Sequence, residues 1–312
     1  MSSSALSSRV AGMIVPIITP FRSPGIVDLV SLQQHCRRCI EGGIDVLFAL
    51  GTTGEFYGLT LEQRRETVRC ALDSAQGQTP VVVGISGDST VSTLVNVDHL
   101  RDERISGYVV STPYFLDYSQ SELLDHFRAV RAHVGQPIIL YNYPARYRHR
   151  IDISTVAALV ADGTACSIKD TAGDLGYVRE LMEIKGRHPA FRVFPSHLQD
   201  LGRASELGID GSVQALGNLL PEECAAFWAL AKRGELKTLQ DRVDHMWDYY
   251  LTLTSGRTFI SALKGAMAGL GWCRELTAAP TRPLDAEGIR EVTQALRAAY
   301  PGRWQGAVAS AG

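Results

Sequence analysis

Short runs dominated by Val, Ile, Leu and Phe alternate along the chain with longer stretches in which apolar residues recur every three to four positions. Runs of the first kind, apolar on both faces, predict buried strands at 14–18, 45–50, 80–84, 107–111, 137–141, 164–168, 191–194 and 209–213. Stretches of the second kind, such as Leu123, Leu124, Phe127 and Val130, gather their apolar residues on one helical face. The two patterns alternate about eight times with a repeat of roughly 25–30 residues, which is the arithmetic of a closed parallel (β/α)8 barrel. An open doubly wound sheet is the competing arrangement, but the chain lacks the GxGxxG turn that such a sheet carries after its first strand. Past residue 233 the strand pattern stops, and helices are predicted near 235–252, 257–270 and 285–299. The expected organisation is a flexible tail over 1–12, a barrel over 13–233 and a helical segment over 234–312 packed on the barrel.

Composition narrows the class of partner. The 312 residues are 45% hydrophobic and 21% charged, with a net charge of −2 and neither sign concentrated in one half. Nothing in that balance points to nucleic acid or an anionic membrane surface, whereas small anionic metabolites are compatible with it. No apolar stretch approaches the ~18 residues of a membrane span. The opening MSSSALSSR lacks the basic and apolar regions of a secretory signal. Six cysteines are scattered, and the one CxxC pair, Cys36 and Cys39, falls within a helical pattern with no second pair to complete a zinc site. Reduced thiols, a cytoplasmic location and no metal are the expectation.

Lysine is scarce, at 5 residues against 26 arginines, and the first is Lys169, at the end of the strand pattern Thr164–Ile168. Burial removes solvation from a charged amine and lowers its pKa, so a lysine in such a place is a candidate nucleophile for a ketone. The alternative is a lysine whose stem packs on the barrel while its head reaches water. In a parallel barrel, reacting groups sit at the carboxyl ends of strands. Gly51, Thr52, Thr53, Gly54 and Glu55 follow the second predicted strand, and Tyr141 ends the fifth. A GTTGE turn offers successive N–H groups and two hydroxyls as a carboxylate nest, or is simply a glycine-rich turn. Tyr141 is read either as a proton carrier beside the amine or as a packed tyrosine with one hydrogen bond.

GTTGE at 51–55, TPY at 112–114, YNYP at 141–144 and IKDTAGDL at 168–175, in this order, are similar to the signature of the dihydrodipicolinate synthase and N-acetylneuraminate lyase family, over about Val15 to Leu296. The resemblance implies a (β/α)8 barrel with a C-terminal helical segment, a homotetramer or dimer, and class I aldolase chemistry without metal or organic cofactor. It implies that Lys169 forms a Schiff base with pyruvate or another 2-oxo acid and that an aldehyde is the second partner. Thr52 and Thr53 would hold the carboxylate, with Thr53 also in the hydroxyl relay, and Tyr141 would shuttle protons. Thr171 matches a threonine that lyases of the family use near the distal part of the substrate. Gly51 and Gly54 would let the backbone approach the ligand.

Departures from the family pattern bear on the substrate. The synthases carry a tyrosine, after the one matching Tyr114, that completes the relay across a subunit boundary; this chain has Phe115, which cannot relay a proton. Arg146 matches the synthase arginine that holds the second substrate's carboxylate, and it begins a basic loop with Arg148, His149 and Arg150 that is otherwise a solvated charge cluster. Where sugar-acid lyases carry a Gly-x-Asp-Asp or Gly-x-Asp-Glu stretch, this chain has Pro195, Ser196, His197 and Leu198. With Phe56, Tyr57, Phe115, Tyr143 and Tyr147 near the predicted mouth, a shorter or more apolar aldehyde is expected unless those rings serve as core or subunit contacts. The leading reading is a pyruvate-dependent Schiff-base lyase acting on a 4-hydroxy-2-oxo acid such as a 2-keto-3-deoxy acid. The alternatives are 4-hydroxy-tetrahydrodipicolinate synthase, a 2-keto-3-deoxy acid dehydratase and a non-catalytic barrel that binds a 2-oxo acid.

Overall fold

A computed structural model describes residues 10–101 and 103–303. Residues 1–9 of the tail expected over 1–12 lie outside the described residues, while Val10 is already buried and the first strand opens at Gly12. Eight strands form one parallel sheet: β1 (Gly12–Pro16), β2 (Val46–Ala49), β3 (Val81–Gly84), β4 (Gly107–Ser111), β5 (Ile138–Asn142), β6 (Ala165–Asp170), β7 (Arg192–Pro195) and β8 (Gly211–Val213). Their order is β8-β1-β2-β3-β4-β5-β6-β7, so each strand lies beside its neighbour in sequence and the last pairs with the first. Between β7 and β8 the seam is closed by the Asp210 N–H donating to the Val193 carbonyl at 3.2 Å and by the Ser212 hydroxyl donating to the Pro195 carbonyl at 2.6 Å. This is the (β/α)8 barrel that the eightfold alternation predicts. A short hairpin, Phe21–Ser23 with Ile26–Val27, stands apart from it.

Helices α1 (Leu29–Glu41), α2 (Leu61–Ala75), α3 (Thr90–Leu100), α4 (Gln120–Val134), α5 (Ile153–Ala161), α6 (Leu175–Arg187), α7 (Leu201–Glu206) and α8 (Pro221–Arg233) make the outer layer. Local sequence starts them where it should: α2 opens with a reciprocal Thr60–Gln63 capping box and α4 with Ser119–Glu122. Three more helices follow, α9 (Leu236–Thr254), α10 (Phe259–Gly269) and α11 (Ala286–Ala299). Among the described residues no helix is long and apolar enough to cross a membrane.

Alternation along the strands divides the apolar residues into two bodies. Ile14, Val46, Phe48, Val82, Val109, Ile139 and Val213 fill the barrel interior, and Leu47, Val83, Val110, Leu140 and Ile168 pack outward against the helices. On β6 the alternation is interrupted. Ile138 pairs with Ala165, but Ile139 pairs with Ser167, leaving Cys166 as an extra residue. Because one extra residue exchanges the faces of everything after it, Lys169 comes level with the inward Tyr141 on one side and the inward Phe194 on the other. A regular pairing from Ile138 onward would place Ile168 beside Tyr141 and turn the lysine toward the helices.

Candidate active site

The carboxyl ends of the strands open into a cavity of about 710 Å³. Lys169 sits at its inner end, 7% exposed, with Nζ 3.8 Å from the ring centroid of Tyr141 and 5.1 Å from that of Phe48. Among the described residues Nζ has neither a carboxylate nor a hydrogen-bond acceptor within reach. Burial therefore dominates its titration and pulls the pKa from the ordinary lysine range to about 7. The neighbouring Asp170 points the other way, into the strand–helix layer, where it accepts from the Asn142 amide at 2.7 Å. Burial lifts its pKa to about 6.

The GTTGE turn is held in an uncommon shape. Leu50 before it and Glu55 at its end both have left-handed backbone, with φ of 58° and 54°. Such residues cost about 1–3 kcal/mol each and persist where surroundings impose them. Here the constraint comes from the C-terminal segment: the Glu55 carboxylate pairs with Lys264 of α10, both side chains fully buried, and accepts the Ala278 N–H at 2.6 Å. Lys264 Nζ also donates to the Leu276 carbonyl at 2.9 Å. So fixed, the turn holds Thr52 and Thr53 on the cavity wall, and their backbone N–H groups have no acceptor among the described residues.

Thr52 also links two phenols. Its Oγ1 lies 3.5 Å from the Tyr141 hydroxyl and 3.1 Å from the Tyr147 hydroxyl. Burial pushes both phenols above their ordinary pKa, so both hydroxyls keep their protons near neutral pH. Tyr147 reaches Thr52 because Pro144 starts a short helix, Pro144–Tyr147, that returns the chain over the barrel mouth.

The structure brings Lys169, Tyr141, Thr52, Thr53, Thr171, Tyr114 and Arg146 together on this cavity. Thr53 lines it without joining the hydroxyl chain, which runs through Thr52 instead. Thr171 Oγ1 is engaged with Ser196 Oγ at 2.7 Å. Gly51 and Gly54 do not line the cavity: a Cβ at Gly51 would stand 3.0 Å from the Phe48 ring, and one at Gly54 the same distance from the Ile17 carbonyl oxygen. Their small size serves the packing of the turn on the barrel. Phe115 is 72% exposed and outside the cavity. Sequence reading places Tyr147 only among the rings near the mouth; its hydroxyl joins the chain because the short helix after Pro144 returns it to the strand end. The outer wall, Trp247, Tyr250 and Phe259, comes from α9 and α10 and carries no mark in sequence, because its proximity is created by the docking of those helices. Among the described residues no group of three or more His, Cys, Asp or Glu is placed to hold a metal ion.

The model of the dihydrodipicolinate synthetase family matches residues 9–299. A 4-hydroxy-tetrahydrodipicolinate synthase of Phenylobacterium zucineum is 30% identical over 294 residues, covering 92% of this chain and 96% of that protein. The putative 2-dehydro-3-deoxy-D-gluconate aldolase YagE of Escherichia coli is 31% identical over 218 residues, 69% of this chain and 72% of its own. The crystal structure of YagE in complex with pyruvate superposes with a TM-score of 0.85 at 26% identity, over 93% of this chain and 98% of that one.

Proposed function

We propose that this chain, which belongs to the dihydrodipicolinate synthetase family, is a pyruvate-dependent Schiff-base lyase that makes or breaks the C3–C4 bond of a 4-hydroxy-2-oxo acid such as a 2-keto-3-deoxy acid. The observation that carries the reading is Lys169, an amine with its pKa drawn to about 7 at the closed end of the cavity. The unbonded N–H groups of Thr52 and Thr53 suit the carboxylate of a 2-oxo acid whose carbonyl carbon faces the amine.

The neutral amine adds to that carbon, the carbinolamine loses water with a proton supplied by Tyr141, and a protonated imine results. In the cleavage direction Tyr141 takes the proton of the C4 hydroxyl, the C3–C4 electron pair enters the imine to give an enamine, and the aldehyde leaves. The enamine is then protonated at C3, and water releases pyruvate and the free amine. Each step moves one proton at Tyr141, and the Thr52–Tyr147 hydroxyls extend the path along which it is exchanged. The imine is the electron sink, so the scheme calls on no metal or organic cofactor.

A second reading, condensation of pyruvate with aspartate semialdehyde, is favoured by Arg146, a guanidinium at the mouth with no ion-pair partner among the described residues. Both readings share the lysine. Borohydride reduction with pyruvate, followed by peptide mapping, tests them together: an adduct of about 72 Da on Lys169 is the reduced imine. Its absence from folded protein would overturn both.

A further inference from the structure

Arg148, His149 and Arg150 read in sequence as a solvated basic cluster, and the fold separates them. Arg148 and Arg150 are exposed and paired with Asp117 at 2.8 Å and Asp174 at 2.9 Å, while His149 is half-buried and bonded through both ring nitrogens. Its Nε2 lies 2.8 Å from the backbone nitrogen of Tyr118, in the loop before α4, and its Nδ1 lies 3.1 Å from the Tyr147 carbonyl oxygen. A backbone N–H can only donate, so Nε2 carries a lone pair, and the single proton of the neutral ring sits on Nδ1 and is donated to Tyr147. The same carbonyl accepts the His149 backbone N–H at 2.7 Å and the Thr112 hydroxyl at 3.3 Å. Arg148, between Tyr147 and His149, has a φ of 64°, a conformation that a non-glycine residue keeps where its surroundings impose it. Farther along the loop Gln120 holds Arg150 and Asp152, so His149 and Thr112 are the ties that reach the Tyr147 backbone from this side.

The imidazole thus fixes the backbone end of Tyr147, whose phenol meets Thr52 at 3.1 Å at the other end. Protonation puts a hydrogen on both ring nitrogens. Nε2–H then faces the Tyr118 N–H, two donors where one bond stood, and the ring must part from Tyr118. The charged and titratable groups on the segments that meet here are Asp117, Tyr118, Arg146, Arg148, Arg150 and Asp174. Both carboxylates are engaged with arginines and neither is bonded to the imidazole, so neither holds the protonated ring in place. Resting on the Schiff-base reading above and on the Thr52–Tyr147 hydroxyls as its proton path, we infer that His149 is a positioning residue gated by its own proton. Neutral, it holds the Tyr147 hydroxyl on Thr52; protonated, it lets go of Tyr118 and slows the proton transfers that run through Tyr147. Histidine ordinarily changes charge between about pH 5 and 8, so release accompanies mild acidification and needs neither a second ligand nor any change at Lys169.

The test is exchange of the pyruvate methyl protons in D2O, with kcat and KM taken from about pH 5.5 to 8. At saturating pyruvate the amine is already an imine, so kcat reports groups of the bound state, while the free Lys169 amine shows in kcat/KM. His149→Leu should lower kcat about tenfold or more at pH 8, with KM for pyruvate within about threefold of wild type. His149→Gln offers a side-chain oxygen that accepts the Tyr118 N–H but does not titrate. It should keep kcat within about threefold of wild type at pH 8, and on acidification the wild-type kcat should fall about fivefold further than that of His149→Gln. In a Tyr147→Phe background, His149→Leu should add less than about a twofold loss. An acid fall in kcat equal for His149→Gln and wild type would overturn the inference. So would a His149→Leu loss of full size in the Tyr147→Phe background, or a His149→Leu kcat within about twofold of wild type. Borohydride trapping of pyruvate is run alongside on every protein: wild type that traps pyruvate without the His149 dependence refutes this inference alone, and wild type that does not trap refutes the Schiff-base reading beneath it. Variants that trap pyruvate are folded around Lys169, so their kcat ratios stand.

Discussion

Replacing Tyr147 by Phe removes one oxygen from the cavity wall and nothing else of its shape. If that hydroxyl only holds Thr52 in place, the loss is one neutral hydrogen bond at 3.1 Å, worth about 0.5–1.5 kcal/mol net, and turnover would fall by ~10-fold at the outside. If it carries protons, the loss is a share of general acid–base catalysis, which contributes on the order of 10²–10⁴-fold. With Tyr141 retained, the lower end of that range applies, so kcat should drop about 10²-fold, or ~2.7 kcal/mol of barrier, while KM for pyruvate moves less than about threefold. The assay needs no aldehyde: an enzyme that forms the pyruvate enamine exchanges the methyl protons in D2O, and the rate is read by proton NMR. Thr52→Val interrupts the same chain, so the double variant should be scarcely slower than either single one, as for groups that act as a unit. Phe115→Tyr serves as a control and should change the rate less than about twofold, since that ring is exposed outside the cavity. A Tyr147→Phe enzyme within about tenfold of wild type, or a double variant with fully additive losses, would refute the relay.

Other consequences follow from burial. The rate of pyruvate trapping should rise with pH through about 7, where the Lys169 amine loses its proton, and a midpoint near 10 would contradict the desolvated site. The same depressed pKa means that the unfolded chain binds the proton more tightly than the native one between about pH 7 and 10.4. Its contribution to stability therefore rises with pH across that window, and Lys169→Met should abolish trapping yet raise the melting temperature, by more at pH 6 than at pH 10. Lys264→Met strands the fully buried Glu55 carboxylate and should cost about 3–5 kcal/mol in urea unfolding. Adding Glu55→Gln should recover a large part of that, and an additive loss would show that the pair is not what is being broken.

How far the sequence disclosed this molecule depends on the kind of interaction involved. Strands came within about two residues because a strand buried on both faces is apolar along most of its length, as 81–83 and 138–140 are. The sixth strand runs on through Lys169 to Asp170, past the point where its apolar run stops, because ladder hydrogen bonds do not depend on side-chain polarity. The placement of Lys169 and Tyr141 at strand ends was legible. The role of Tyr147 was not, since it follows from a four-residue helix that brings the phenol back to Thr52. The support of the GTTGE turn was equally hidden: Glu55 and Lys264 are 209 residues apart and meet only when α10 docks.

The extra residue at Cys166 carries a lesson for anyone transplanting this chemistry. Which way the amine faces is a matter of odd and even, decided by a count along two strands and not by anything lysine itself prefers. A designer who copies Ile168-Lys169-Asp170 onto a regular barrel strand, matched at Ile138 and Ala165, would turn the amine toward the strand–helix layer, away from the cavity. Inserting a single residue upstream would bring it back. The unit of transfer is thus the whole stretch from Ala165 to Lys169 together with its partner strand, and a silent graft should be checked for its parity before its chemistry is blamed.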